Sequence, residues 1–326
     1  MRIAIKFLAG PIAMLAAVVL ASCGGGSDSG TSETTTTTAP RTAALPGTGK
    51  PLVTIGDKNT SEQFVLGELY YQALAAQGFK VMLNRNIGPT EVTTRALQSG
   101  RLAMYPEYLQ TWNTAVAGYR HGFKTAFKAY QAAQRYALAH GLELLNPTPF
   151  SDTDAVGVAS DYALAHRLSS IRDLRKVATT LTFGAPPQFQ QGPNGLPQLE
   201  QVYGFVPSSF KQLDIGGQYQ ALSQGNVQAA DVSSSDGELA SDTYRLLRDP
   251  RHVLGWGNVV PVASSQLLSV EGPAFAQTIN KVSSLLTLGT MRRLNAAVDI
   301  SHEDLATVAR KFLTAHGLLK PPPSNG

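Results

Sequence analysis

The chain has 326 residues, long enough for two modest domains with real cores, and 43% of it is hydrophobic against only 15% charged. Its formal charge is +4, and without residues 1–22 it is +2, with 25 basic against 23 acidic residues. So weak and evenly spread a charge gives no argument for nucleic acid, and a single cysteine excludes both an intrachain disulfide and a cysteine metal cluster.

In chain order, residues 1–22 carry Arg2 and Lys6, then an apolar run from Phe7 to Leu20, then Ala21 and Ser22. This is the layout of a signal peptide, too short and wrongly flanked for a spanning helix. The run ends Leu20-Ala21-Ser22-Cys23-Gly24, with the only cysteine just after the small residues. That pattern resembles the bacterial lipobox, in which the cysteine is acylated and becomes the mature N-terminus. Residues 23–50 are rich in Gly, Ser, Thr, Ala and Pro and read as a flexible tether.

The folded part is expected from Pro51. A strand at Leu52–Ile55 runs into the polar loop Gly56–Gln63 and a helix ending at Gly78. Its apolar stripe is Val65, Leu69, Ala73 and Ala76, with Thr60 or Ser61 as cap. Strands follow at Phe79–Leu83 and Leu102–Tyr105, the second stopped by Pro106, with a helix Glu91–Ser99 between them. A long helix covers about Phe123–Ala139, and a strand Leu142–Leu145 closes this stretch. The alternation repeats with strands at Ala155–Ala159, Leu181–Ala185, Phe210–Leu213 and Val227–Val232, then at Tyr244–Leu247 and Val259–Val262. Helices fill the intervals and the C-terminal part. Strands alternating with helices predict an α/β fold with mostly parallel sheets.

Signals for catalysis are scarce. There is no phosphate loop, no dinucleotide fingerprint, no nucleophile elbow and no H-E-x-x-H. The six histidines show no ligand spacing, and Asp231, Asp236 and Glu238 read as turn and cap residues. No enzyme and no cofactor is expected.

A series of short motifs carries more. It begins with Gly56-Asp57-Lys58-Asn59, Glu62-Gln63 and Leu66-Gly67-Glu68-Leu69-Tyr70, then Gly88-x-Thr90-Glu91-Val92 and Tyr105-Pro106-Glu107-Tyr108. It continues with Pro147-x-Pro149-Phe150, Asp214-Ile215-Gly216, Tyr219-x-Ala221-Leu222-x-x-Gly225 and Ser235-Asp236-Gly237-Glu238. In this order and spacing, from about Leu52 to Leu318, the chain resembles the ProX-like substrate-binding lipoproteins of ABC importers for osmoprotectants: glycine betaine, choline and carnitine.

The resemblance implies a type II periplasmic-binding-protein fold, with two α/β lobes, a hinge and a ligand cleft between them. Lobe I would be 51–152 plus 234–320, lobe II 153–233, and 321–326 a tail. It implies a small-molecule ligand, an ABC permease as partner and no nucleic acid. It also implies a lipid anchor on Cys23 that holds the protein at the outer face of the cytoplasmic membrane. In the family a cage of tyrosines holds the trimethylammonium head by cation–π attraction. Position by position, cage tyrosines match Tyr105 and Tyr219. Asn59 and Gln63 form the lobe I wall, with Thr90 contributing from its turn. Two further cage positions depart from the pattern, since Asp154 and Ser233 stand where rings are usual. The family ligand is a quaternary amine. Losing two rings opens the alternative of a larger hydroxylated or aromatic, non-quaternary ligand.

Overall fold

The computed structural model describes residues 44–192 and 195–321. The expected signal peptide, the lipobox cysteine and most of the tether lie outside the described residues. The expected tail lies outside them too, except residue 321.

The chain builds two five-stranded sheets of matching design. The first has the order β2-β1-β3-β10-β4, from Leu52–Gly56 (β1), Lys80–Asn84 (β2), Met104–Tyr108 (β3), Leu142–Leu144 (β4) and Val259–Ser264 (β10). The second has the order β7-β6-β8-β5-β9, from Asp154–Ala159 (β5), Thr182–Ala185 (β6), Ser209–Gln212 (β7), Ala229–Ser233 (β8) and Tyr244–Leu247 (β9). The sheets are mixed rather than mostly parallel. In each, four strands run one way, and only the strand that has just crossed from the other sheet, β5 or β10, runs against its neighbours. A strand arriving across a hinge enters at the end where its neighbours finish. The hinge and the strand C-termini are therefore at the same end of each sheet.

One boundary differs from the sequence reading. β9 pairs antiparallel with β5, Val156 opposite Leu247, so the chain beyond Ser233 returns to the second sheet before it finally crosses at 248–258. Nothing in a four-residue apolar run says which of two sheets it joins. Residues 237–240 do lean on the first lobe. A Cβ on Gly237 would meet the Ala296 backbone at 2.8 Å, so only glycine permits this approach.

β3 also runs on through Pro106. Pro106 lies opposite Pro261 on the antiparallel partner β10. Two residues without N–H groups share one rung, and neither strips a donor from the ladder.

The helix Ser61–Ala76 (α1) is buried nearly all round rather than on one stripe, with Val65, Leu66, Leu69, Tyr70 and Leu74 fully enclosed. It is sandwiched between the first sheet and the helices Pro273–Leu285 and Leu305–Ala315. Its start has no side-chain cap, and the Ser61 hydroxyl donates instead to Asp299. Its end is a Schellman turn at Gly78, whose φ is 81°, with Gly78 N–H on Ala75 O and Phe79 N–H on Leu74 O. The opposite face of the first sheet is covered by Thr90–Gln98 (α2), Ala126–Ala139 and the buried Trp112. The second sheet likewise carries one apolar cluster on each face, centred on Phe183 and on Val232. The folded unit starts before Pro51: Gly47 donates its N–H to Gln77 O at 2.9 Å, and Lys50 Nζ bonds Val270 O at 2.7 Å.

The hinge strands are stitched together. Asp152 N–H bonds Gly257 O at 3.0 Å, and Gly257 N–H bonds Ser151 Oγ at 2.9 Å. A Cβ on Gly257 would lie 1.6 Å from the Asp152 carbonyl oxygen, a contact between backbones that no rotamer relieves. Gly257→Ala is expected to lower stability by about 1–3 kcal/mol, read as a reduced urea midpoint at unchanged m-value. A midpoint equal to wild type would show that the two hinge strands can part freely.

Candidate functional site

At the C-terminal end of the first sheet, the loop after β1 and the end of β3 meet over a buried ion pair. Lys58 Nζ lies 2.6 Å from Glu107 Oε1, and both side chains are buried. Glu107 also accepts from Thr90 Oγ1 at 3.1 Å, Tyr105 OH at 3.3 Å and Tyr108 N–H at 2.7 Å. Lys58 donates a second bond to Thr90 Oγ1 at 2.9 Å and stands 5.0 Å from the centre of the Tyr108 ring. Each lone pair of the buried carboxylate finds a donor, which an ion pair removed from water needs in order to break even.

Tyr108 turns from this cluster toward the second lobe. Its hydroxyl donates to Glu62 Oε1 at 3.0 Å, and Glu62 Oε2 accepts from Asn295 Nδ2 at 2.9 Å. Asn295 bonds Ser235 O on the chain leaving β8, also at 2.9 Å. Burial, and then the nearby Asp152 carboxylate, push the Glu62 carboxyl up to about 8.

Across the hinge, Asp154 and Ser233 are direct partners on the β5–β8 ladder. The two positions where rings are usual in the resembling family thus form one rung. The Ser233 hydroxyl donates to Asp152, and its N–H bonds Asp236 Oδ2 at 2.9 Å. With Tyr108, Gln110, Thr111 and Leu254, the Asp152–Asp154 segment and Ser233 enclose a cavity of about 220 Å³. Tyr108 belongs to one lobe and the Asp154–Ser233 rung to the other, so this space lies between the lobes. Asp154 and Ser233 also border a larger cavity of about 520 Å³, which opens over the ends of β6 and β8 between Pro186, Phe189, Ile215, Asp231 and Asp236.

The residues singled out in the sequence are distributed unevenly around this space. Asp154 and Ser233 line both cavities. Tyr105 is fully buried among Leu102, Leu109 and Trp112, its hydroxyl held by Thr94 at 2.9 Å, and it lines neither cavity. Tyr219 is buried against Tyr244, 4.8 Å between ring centres, and reaches the large cavity only through Asp236, which accepts its hydroxyl at 2.8 Å. Thr90 belongs to the ion-pair cluster. Gln63 is fully buried behind it: its Oε1 lies 3.5 Å from Lys58 N, and its amide nitrogen has no acceptor. Asn59 is exposed on the loop.

Two functional candidates escaped the sequence reading. Tyr108 is the aromatic ring at the cavity. Tyr105 and Tyr108 are separated by three positions on a strand that continues through Pro106, so period-2 alternation sends them to opposite faces. Asp231 is neither a turn nor a cap residue. It sits inside β8, a central strand, flanked by the fully buried Ala229 and Ala230 and by Val232. An acid within an apolar strand was a visible signal. Asp236 does shape the turn after β8, and burial holds its carboxyl up at about 6.

Residues 51–315 match the family described as the substrate-binding domain of the ABC-type glycine betaine transport system. A glycine-betaine-binding protein of Pseudomonas aeruginosa is 30% identical over 278 residues, covering 81% of this chain and 88% of the relative. The glycine betaine-binding protein YehZ of Escherichia coli K12 is 28% identical over 330 residues, 97% of this chain and 99% of its own. Among solved structures, a glycine betaine/carnitine/choline ABC transporter protein superposes with a TM-score of 0.76 at 25% identity, over 82% of this chain and 99% of that one.

Removing one member of the buried ion pair leaves the other charge uncompensated. Lys58→Met is expected to cost about 3–5 kcal/mol. Lys58→Met with Glu107→Gln is expected to recover part of that loss, because a neutral amide needs no counter-charge. Equal losses in the single and double variants by urea unfolding would deny the coupling. A second expectation concerns pH. Glu62 is held near 8, Asp231 near 9, and Asp57 and Asp236 near 6, all above the ordinary carboxylate values of 3.8 and 4.5. The folded chain then keeps protons that the unfolded chain has lost. Their stabilising contribution is full below about pH 4 and disappears as pH rises through 6 and on to 9. The unfolding midpoint of the ligand-free protein should fall from pH 5 to pH 9; a flat or rising midpoint contradicts these assignments.

Proposed function

The chain belongs to the family of substrate-binding domains of ABC-type glycine betaine transport systems, and from that premise we propose that it is an extracytoplasmic receptor handing a small quaternary amine to an ABC permease. The observation that carries the reading is the space between Tyr108 on one lobe and the Asp154–Ser233 rung on the other. It lies at the strand ends where the chain crosses between lobes. A ligand there touches both lobes, so it favours the closed arrangement by its differential contact with that state.

Tyr108 lines this space, and the ring face away from Lys58 would offer a trimethylammonium head cation–π attraction of about 0.5–2 kcal/mol once water is excluded. Asn59 on the loop after β1, Gln63 in the first turn of α1 and Thr90 at the start of α2 support this wall. Asp154 and Ser233 form the opposite wall. A receptor role for a larger hydroxylated or aromatic ligand is the second reading. The polar Asp154–Ser233 rung favours it, opening directly on the 520 Å³ cavity beside Phe189.

The envelope location rests on the sequence of residues 1–23. Acylation of Cys23 after removal of the signal peptide would hold the receptor at the outer face of the cytoplasmic membrane, where two or more chains anchor stably and one does not.

Ligand binding to the folded state alone raises stability, by about 2.7 kcal/mol at a hundredfold excess over Kd. Glycine betaine, choline, carnitine and a set of hydroxylated aromatics should be compared by thermal shift. A quaternary amine is expected to raise the melting temperature most, and a rise confined to the hydroxylated aromatics would favour the second reading. Cys23→Ala is expected to move the protein from the membrane to the soluble fraction; retention on membranes would refute the anchor.

A further inference from the structure

One face of the first lobe is basic. Between Gly88 and Leu142 the chain has six Lys and Arg against two acids, so this stretch alone matches the +4 formal charge of the whole chain. The even spread expected from the total does not hold here. Of the two acids, Glu107 is buried and paired with Lys58. That leaves Glu91 against Arg95, Arg101, Arg120, Lys124, Lys128 and Arg135. All six cations are exposed, and among the described residues none is paired with a carboxylate. They stand on α2 and the turn after it, on the loop that follows Val116 and on the helix Ala126–Ala139. Together with Trp112, this layer covers one face of the first sheet.

Apolar side chains are set among these charges. The helix Ala126–Ala139 buries Ala129, Ala132, Ala133 and Ala137, and it exposes Phe127, Gln131, Arg135 and Leu138 at helical spacing. Phe127 is 67% exposed and Leu138 54%. In the loop before the helix, the Tyr119 and Phe123 rings pack edge to face, 5.5 Å between centres. Trp256 Nε1 donates to Phe123 O at 2.8 Å, which ties this loop to the crossing segment. Single exposed apolar residues are ordinary on a protein surface. A stripe that sets cations beside exposed ring and aliphatic groups fits an anionic lipid surface. There the cations meet headgroup phosphates, and the apolar groups enter the boundary beneath them.

Resting on the envelope reading above, we propose that this face is a docking surface for anionic phospholipid, and that it seats the tethered receptor against the membrane with the ligand cleft left free. The tether favours a membrane as the occupant over an acidic protein. Pro51 and Leu52, at the start of the first strand, line one groove with His140 and Gly141 at the end of the basic helix. The chain thus enters the first lobe at the end where that helix finishes. Residues 24–43, as the random coil their composition predicts, would span about 25 Å. Such a span keeps the face within reach of the headgroups and raises their effective concentration, so a contact too weak to hold a free chain is populated in a tethered one. None of the six cations lines either cavity at the Asp154–Ser233 rung.

The test uses the chain from residue 23 onward with Cys23→Ser, so that no acyl group contributes. It is sedimented with vesicles of phosphatidylcholine, alone or with about 30% phosphatidylglycerol, at about 0.05 M and about 0.5 M NaCl. Binding to the phosphatidylglycerol vesicles is expected to be at least about tenfold tighter at the lower salt and to be lost at the higher, where the screening length shrinks. Lys124→Glu with Lys128→Glu is expected to weaken it at least about tenfold, since each cation near such a surface contributes about fivefold. Lys281→Glu with Arg310→Glu makes the same change of charge on the helices across the sheet, and is expected to alter binding by less than about threefold. All four substituted side chains are exposed, and an unchanged melting temperature checks that both variants fold. No preference for phosphatidylglycerol, or equal loss in the two double variants, would overturn the docking surface. The anchor is tested apart from it: at about 0.5 M NaCl the lipid contact is screened, so membrane retention of the full-length Cys23→Ala chain there would refute the anchor alone.

Discussion

The Glu107 carboxylate is the point on which the first lobe's binding wall depends. It draws the loop after β1, the start of α2 and the last turn of β3 to one buried centre, through Lys58, Thr90, Tyr105 and the Tyr108 amide. None of these partners is adjacent to another in sequence except across β3. Without a shared acceptor, the three segments would have to satisfy their polar groups separately, and Tyr108 would be held by Glu62 at its hydroxyl alone. A fully bonded buried pair adds little net stability against an apolar substitute. It adds one defined geometry, because every alternative arrangement leaves a charge or a donor unmatched.

The second constraint is topological. Each sheet admits one strand from the other lobe, and that strand runs backward among its neighbours. The beginnings of β5 and β10 are thereby placed beside the ends of β8 and β3. The hinge, the cavity walls and the helix N-termini are brought together by chain direction alone. In an open α/β sheet, ligands gather at the carboxyl ends of the strands. Here the same end also carries the strands that cross between the sheets, so a ligand bound there would lie beside the crossing segments.

Much of this was legible in the residues. The alternation of strands and helices predicts an α/β fold, the Gly78 stop marks the end of α1, and the resemblance carried by the ordered motifs from Gly56 to Glu238 implies the two-lobe architecture. The unusual residues Asp154 and Ser233 stand out against the family pattern before any coordinates are known. The misreadings share one physical origin: short segments whose role depends on distant partners. β9 is four residues that either sheet could accept. Pro106 reads as a strand stop until Pro261 is found opposite it. Tyr105 outranks Tyr108 by position in a motif, yet strand alternation and the distant Trp112 and Glu62 decide which ring is enclosed and which one meets the cavity. Asp231 was dismissed by residue type, although its apolar flanks already argued against a turn.

The Asp154–Ser233 rung has a consequence for how such a receptor diverges. Directly opposed residues of an antiparallel pair have Cβ atoms about 4.5–5.5 Å apart and interact across the rung. Neighbours at that range do not contribute independently. A lineage that trades rings for polar groups here must alter two codons nearly eighty positions apart, and the intermediate sets one ring against a carboxylate or hydroxyl shaped for another partner. The order of the two changes then matters, and the residues of this rung are inherited as a pair.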